Sequence, residues 1–245
     1  MEREKWALIT GASGGIGIEI VKEIAAEGYS IYAHYNRNAK NLDALLRKLE
    51  QQYEKQEFKM VQADLSQSGG VESLLEGIHH PIQCMVQNSG KSHIGLVQDI
   101  PPNVIDDFVQ LQMISPFRLT QELIPYMVRE KKGKIIFITS VWGVTGAATE
   151  VLYSMVKGGQ NSLVKALAKE LAPSGISVNG VAPGAIKTPM LDVFSESDLR
   201  ELEDEIPAGR LGKPEEVASL VRFLTTDAAS YINGQIISVN GAWYC

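Results

Sequence analysis

The sequence predicts a single α/β domain: a parallel sheet of about seven strands with helices on both faces. Three observations predict it. Short apolar runs alternate with longer helical patterns along almost the whole chain. Several of those runs, residues 134–139 (KIIFIT) among them, are apolar on both sides, as a strand covered by helices above and below must be. The 245 residues are enough for one such unit and leave little for a second.

The elements follow in order. Residues 6–10 (WALIT) read as the first strand, and a helix runs from about 15 to 27. Residues 30–35 (SIYAHY) are the second strand. A strongly periodic helix over 39–55 puts Leu42, Leu45, Leu46, Leu49 and Tyr53 on one face. Residues 58–62 form the third strand, 71–78 a helix and 82–87 the fourth strand. Residues 104–129 hold one or two helices, with Pro116 interrupting the pattern because proline has no N–H for the helix ladder. Then come the strand 134–139, a long helix 150–171, a strand 176–181, a helix 214–224 and a last strand 235–239. Residues 188–211 are the least strand-like and most charged stretch, which predicts a helical insert or lid.

Composition excludes several classes. Apolar residues at 44% and charged residues at 21% are ordinary for a globular protein and wrong for disorder, collagen or coiled coil. A net charge of −6 argues against broad nucleic-acid binding, which needs a basic face. Two cysteines, Cys84 and Cys245, make neither a disulfide framework nor a zinc site, and Cys84 in its apolar run reads as a core thiol. The four histidines show no metal-ligand spacing, so no metal is expected. The N-terminus lacks the pattern of a signal peptide, and no apolar stretch approaches the roughly 18 residues of a membrane span. The expectation is a soluble, cytoplasmic protein.

The first strand runs into Thr10-Gly11-Ala12-Ser13-Gly14-Gly15-Ile16-Gly17, which opens a helix. Glycines let a backbone turn tightly and approach a phosphate, and a helix N-terminus offers unpaired N–H groups. In isolation such a turn could be a plain βα connection; after the first strand of this pattern it reads as a nucleotide site. The second strand ends at Asn36-Arg37 with no acid to bind a ribose 2′-hydroxyl. Arg37 is either a solvated loop charge or the partner of a 2′-phosphate, and the second favours NADP over NAD. Asp64-Leu65 after the third strand is placed to touch an adenine edge, or Asp64 caps the next helix.

Tyr153 and Lys157 are four residues apart in the long helix, so they share one face. A neighbouring ammonium favours the phenolate, and such a pair exchanges protons closer to neutrality than a free tyrosine does. The spacing alone is common. Ser140, however, ends the strand before that helix, where parallel sheets collect their ligands. A hydroxyl there could hold a carbonyl while Tyr153 donates a proton. No G-x-S-x-G elbow is present for acyl transfer.

Together these residues resemble the short-chain dehydrogenase/reductase family. The likeness covers essentially the whole chain: the TGASGGIG turn, Asp64, Asn88-Ser89-Gly90, Ser140, Tyr153 with Lys157, Pro183-Gly184 with Thr188, and the closing YINGQIISVNGAW. It implies a Rossmann fold, NADP(H) as cofactor, reversible hydride transfer and a homotetramer. It implies that Tyr153 is the acid in reduction, that Lys157 lowers its pKa and binds ribose, and that Ser140 polarises the carbonyl. Thr188 and the 183–186 backbone, with Ile186, would hold the nicotinamide amide, and Asn88 would steady the sheet edge. The family's fourth catalytic residue, an Asn backing a water-mediated proton relay, aligns with Gln112, which implies a rerouted relay. The same fold also serves non-catalytic NADP(H)-binding regulators; retention of both Tyr153 and Lys157 argues against that.

Within the family the chain resembles 3-oxoacyl-[acyl-carrier-protein] reductases through Arg210-Leu211-Gly212, Pro214-Glu215-Glu216-Val217 and YINGQ. Arg129, Lys131 and Lys132 could meet an acidic carrier protein. It is more similar still to the elongation factor P 5-aminopentanone reductase branch, through HYN at 34–36, NSGKSHIGL at 88–96, SVWG at 140–143 and TEVLYSMVKG at 149–158. That likeness implies a ketone on a modified lysine, ending in an ammonium. Glu150, one helical turn before Tyr153, could pair with such a cation, and His93 and Trp142 lie in the shared stretches as candidate substrate contacts. The predicted lid carries seven acids: Asp192, Glu196, Asp198, Glu201, Glu203, Asp204 and Glu205. They either favour a cationic substrate or merely solvate a helix.

Overall fold

A computed structural model describes residues 4–245. Its centre is a seven-stranded sheet in the order β3-β2-β1-β4-β5-β6-β7, every pair parallel. The strands are β1 (Lys5–Ile9), β2 (Tyr29–Tyr35), β3 (Phe58–Gln62), β4 (Cys84–Gln87), β5 (Gly133–Ile138), β6 (Ile176–Pro183) and β7 (Ile236–Val239). The helices between them are α1 (Gly15–Ala26), α2 (Lys40–Gln52), α3 (Gly70–Glu76), α4 (Pro102–Val109), α5 (Ser115–Glu130), the short α6 (Trp142–Thr145), α7 (Val151–Leu171), α8 (Glu196–Glu205) and α9 (Pro214–Thr225). This is the predicted Rossmann arrangement, with the order of strands reversing direction between β1 and β4.

Two apolar cores, one on each face, explain why β1, β4 and β5 are buried runs. On one face Ile20, Val21 and Ile24 of α1, Leu42, Leu46 and Leu49 of α2, and Val217 and Val221 of α9 pack on Ala7, Ile9 and Val86. On the other, Leu74 of α3, Leu119 and Met127 of α5, and Val164 and Ala168 of α7 pack on Leu8, Met85, Ile135 and Phe137. The predicted apolar stripe of α2 is the one buried, with Leu45 and Tyr53 at its margin.

One predicted break is resolved differently. Residues 102–130 run as α4, a π turn at Gln110–Ile114, and α5. Pro116 does not end the helix. The wider turn places it at the start of α5, where a missing N–H costs little. The charged stretch 188–211 does contain a helix, α8, opened by a capping box between Ser195 and Asp198. Among the described residues no helix is long and apolar enough to cross a membrane.

Candidate active site

A cleft of about 940 Å³ opens along the carboxyl edge of the sheet, across the β1–β4 reversal. Parallel strands gather their ligands there. Gly11, Asn88, Ser140, Tyr153, Pro183 and Thr188 all line it, so the segments after four strands and α7 converge on one space.

One end of the cleft is made of backbone. Gly11 sits at φ 63°, and a Cβ on it would stand 3.0 Å from both Asn88 Nδ2 and Ser89 Cα. A Cβ on Gly17 would collide with the Gly11 carbonyl oxygen, and one on Gly15 would lie 2.8 Å from Thr188 Cγ2. Asn88 ties the neighbouring loops together: its Nδ2 donates to the Thr10 and Gly11 carbonyls at 3.0 and 2.9 Å. Thr10 Oγ1 in turn accepts the N–H groups of Asn88 and Ser89. The first turn of α1 has no side-chain cap and no acid, so its free N–H groups face the cleft with positive potential. Ser13 and Ile16 line the same turn.

Sequence reasoning passed over His34 in this role. Its Nδ1 accepts the Gly11 N–H at 3.1 Å, which leaves Nε2–H to donate to the Ala63 carbonyl at 3.1 Å. Burial holds its pKa down to about 4, so the ring is neutral and the turn keeps its acceptor at physiological pH. Beyond β2, Asn36 and the exposed Arg37 line the cleft with Asp64 and Leu65 from the end of β3. Partial burial works against the Asp64 charge, but Ser66, the Asn36 side chain and the Arg37 charge outweigh it and hold its carboxyl below the usual range. A dinucleotide fits these residues: glycine at each close approach, an uncapped helix end, and a cation rather than an acid after β2.

The other end is made of side chains. Ser140, just past β5, stands close enough to the Tyr153 hydroxyl to act on its proton. The ammonium of Lys157 donates to the Ile138 carbonyl at 2.9 Å and to Gln160 Oε1 at 3.1 Å, and lies 5.6 Å from the centre of the Tyr153 ring. The expected downward pull of Lys157 on the phenol is not what this geometry gives. Burial pushes Tyr153 up to about 12, with the Glu150 charge adding to it and Ser140 opposing it. Burial also draws Lys157 down to about 7. A phenol kept protonated beside a hydroxyl can donate a proton to an oxygen placed between them.

Past this group lies an aromatic and acidic wall. Trp142 Nε1 donates to Glu150 Oε1 at 3.0 Å. The Trp142 ring meets Trp243 and Tyr244 edge-on, with centroids 4.9 and 5.3 Å apart. Burial raises the Glu150 pKa, with the Trp142 bond opposing it. Asp198, Glu201 and Glu205 of α8 also line the cleft; the other lid acids do not. Trp243 lies in the closing YINGQIISVNGAW stretch, which carried the family likeness but did not mark it as a cleft residue.

Two candidates sit differently from the reading above. His93 does not line the cleft; its ring packs edge-on against Phe108 at 6.1 Å. Gln112 is fully buried beside Gly90, and its Nε2 donates to the Lys91 carbonyl at 3.1 Å. Its backbone carbonyl accepts from Gln160 at 2.7 Å. The remaining candidates, Ser89, Gly90, Gly184, Ile186 and Thr188, all line the cleft.

Comparison with known proteins gives the family. The family model for short chain dehydrogenase matches residues 5–198. An uncharacterized oxidoreductase of Bacillus subtilis, YmfI, is 51% identical over 98% of this chain and 99% of its own. The 3-oxoacyl-[acyl-carrier-protein] reductase FabG of Salmonella typhimurium is 35% identical over 98% of this chain and 97% of its own. Among solved structures, YwfH, an NADPH-dependent reductase of bacilysin biosynthesis, superposes with a TM-score of 0.91 at 22% identity, covering 99% of both chains, which speaks for the fold. With the family matched over most of its length and with relatives above 30% identity end to end, the chain belongs to the short chain dehydrogenase family of oxidoreductases.

Proposed function

We propose that this protein reduces a ketone carried on another protein, with NADPH as the reductant. The observation that carries the reading is the convergence of Ser140, Tyr153 and a buried Lys157 at the far end of a cleft whose near end fits a dinucleotide. NADPH supplies the hydride when bound. Arg37, with no acid at the end of β2, favours the 2′-phosphate form. The free amides of α1 hold the diphosphate, and Thr188 and the backbone at 183–186 hold the nicotinamide amide. Ser140 orients the ketone oxygen, and Tyr153 delivers the proton to it. Lys157, beside that hydroxyl, binds the nicotinamide ribose, and residues 188–211 close over the substrate. Exposed Phe117 on α5 and Met155 on α7 support a homotetramer.

A specific observation favours one substrate over another. Arg129, Lys131 and Lys132, the candidates for docking an acyl carrier protein, precede β5, at the edge opposite Ser140 and roughly 20 Å from it. The mouth instead presents Glu150, Glu201 and Glu205 with the Trp142 and Trp243 rings, a setting suited to an ammonium. We therefore read the ketone as the 5-aminopentanone group of a modified lysine on elongation factor P, ahead of a 3-oxoacyl thioester. The test is a side-by-side assay of acetoacetyl thioester and aminoketone-bearing protein, each with NADPH and with NADH. Faster turnover of the aminoketone with NADPH is expected. Preference for the thioester would overturn the substrate reading, and equal use of NADH would overturn the cofactor reading.

A further inference from the structure

Gln160 has no part in the mechanism drawn above, yet it is one of the most buried polar side chains in the molecule. It lies on α7, three residues after Lys157 and on the same face. Its two ends make two different bonds. Oε1 accepts from the Lys157 ammonium at 3.1 Å, and Nε2 donates to the Gln112 backbone carbonyl at 2.7 Å. That carbonyl lies in the π turn, and Pro116, four residues on, has no N–H to offer it.

An ammonium has three protons to donate. Ile138 and Gln160 take two of them, both through neutral oxygens. The third is left beside Gly90, where a Cβ would stand 3.5 Å from Nζ. Gln112 Oε1 approaches the same spot and is buried with no hydrogen-bond partner. So the amide of Gln160 sets the direction in which the lysine points.

We propose that Gln160 is a positioning residue for the reduction: braced on the Gln112 carbonyl, it fixes the Lys157 ammonium toward the cleft. The inference goes beyond the substrate reading and does not depend on it. Of the groups placed against the Lys157 side chain (the Ile138 carbonyl, Gln160, Gly90 and Tyr153), only Tyr153 titrates. A change at Gln160 therefore acts on the lysine with little competition.

The test needs no substrate. The lysine side-chain carbons of the cofactor-free protein are followed by NMR through a pH titration, with the Lys157 signal assigned by its loss in Lys157→Arg. Gln160→Leu removes the acceptor and should lower the Lys157 midpoint by about one pH unit. Gln160→Glu keeps an acceptor and adds a negative charge, so the midpoint should rise by at least about one unit. The basic limb of ketone reduction should move the same way in each variant. Midpoints within about 0.3 unit of wild type in both variants would overturn the proposal. If Gln160→Leu fails to fold, the Gln160→Glu midpoint decides alone. If neither ketone is turned over, the proposed function fails while this titration still gives its answer.

Discussion

The two ends of the cleft do their work with different material. At the dinucleotide end the working groups are main-chain amides, and side chains such as Asn88 and His34 only hold the turn in shape. At the reducing end the working groups are side chains, and the main chain serves them, as the Ile138 carbonyl serves Lys157. The first end fails when a Cβ intrudes. The second fails when a proton is moved or a hydroxyl lost. The difference separates substitutions that block binding from substitutions that block chemistry.

The largest expected effect is chemical. Tyr153→Phe should lower ketone reduction about 10²–10⁴-fold while NADPH still binds, as measured by steady-state rates beside a fluorescence titration. Loss of binding in step with rate would show that the two ends are not separable.

The next effect concerns stability. Burial lowers Lys157 from the usual 10.5 to about 7. Between those values the unfolded chain holds a proton that the folded chain releases, so this group makes stability rise with pH across that window. Below about 7 the burial cost stands in full. Lys157→Met removes it, and the variant should melt above wild type at pH 7. The gap should close as pH approaches 10, by up to about 1.4 kcal/mol per unit. A constant gap across that range would show that the lysine is not held this way.

The smallest of the three is steric. Gly17→Ala sets a methyl against the Gly11 carbonyl. Overpacking of that kind costs about 1–3 kcal/mol, so NADPH affinity should fall roughly tenfold or more. Unchanged affinity would mean that the turn yields, contrary to its rigid reading.

The same contrast explains what could be read from sequence. The glycine turn was legible because only glycine meets its steric demand, and the demand is local. Ser140, Tyr153 and Lys157 were legible through spacing and position after a strand. The third strand was found at its observed limits, Phe58–Gln62, because its residues carry the pattern themselves. Gln160 and His34 were not legible in their roles. A glutamine within a helix carries no mark of a partner 48 residues away. Nor does a histidine within a strand announce that it will receive the Gly11 N–H. Pro116 misled because the rule about helix interiors assumes an unbroken α-helical ladder, and the π turn changes the ladder before the proline arrives. The basic cluster at 129–132 lies where the chain enters β5, at the end of that strand away from Ser140.

The packing of Trp243 and Tyr244 on Trp142 has a practical consequence. Two of the three tryptophans in the chain border the cleft. Reduced nicotinamide absorbs where indole emits, so cofactor loading should quench the protein's own fluorescence and need no added dye.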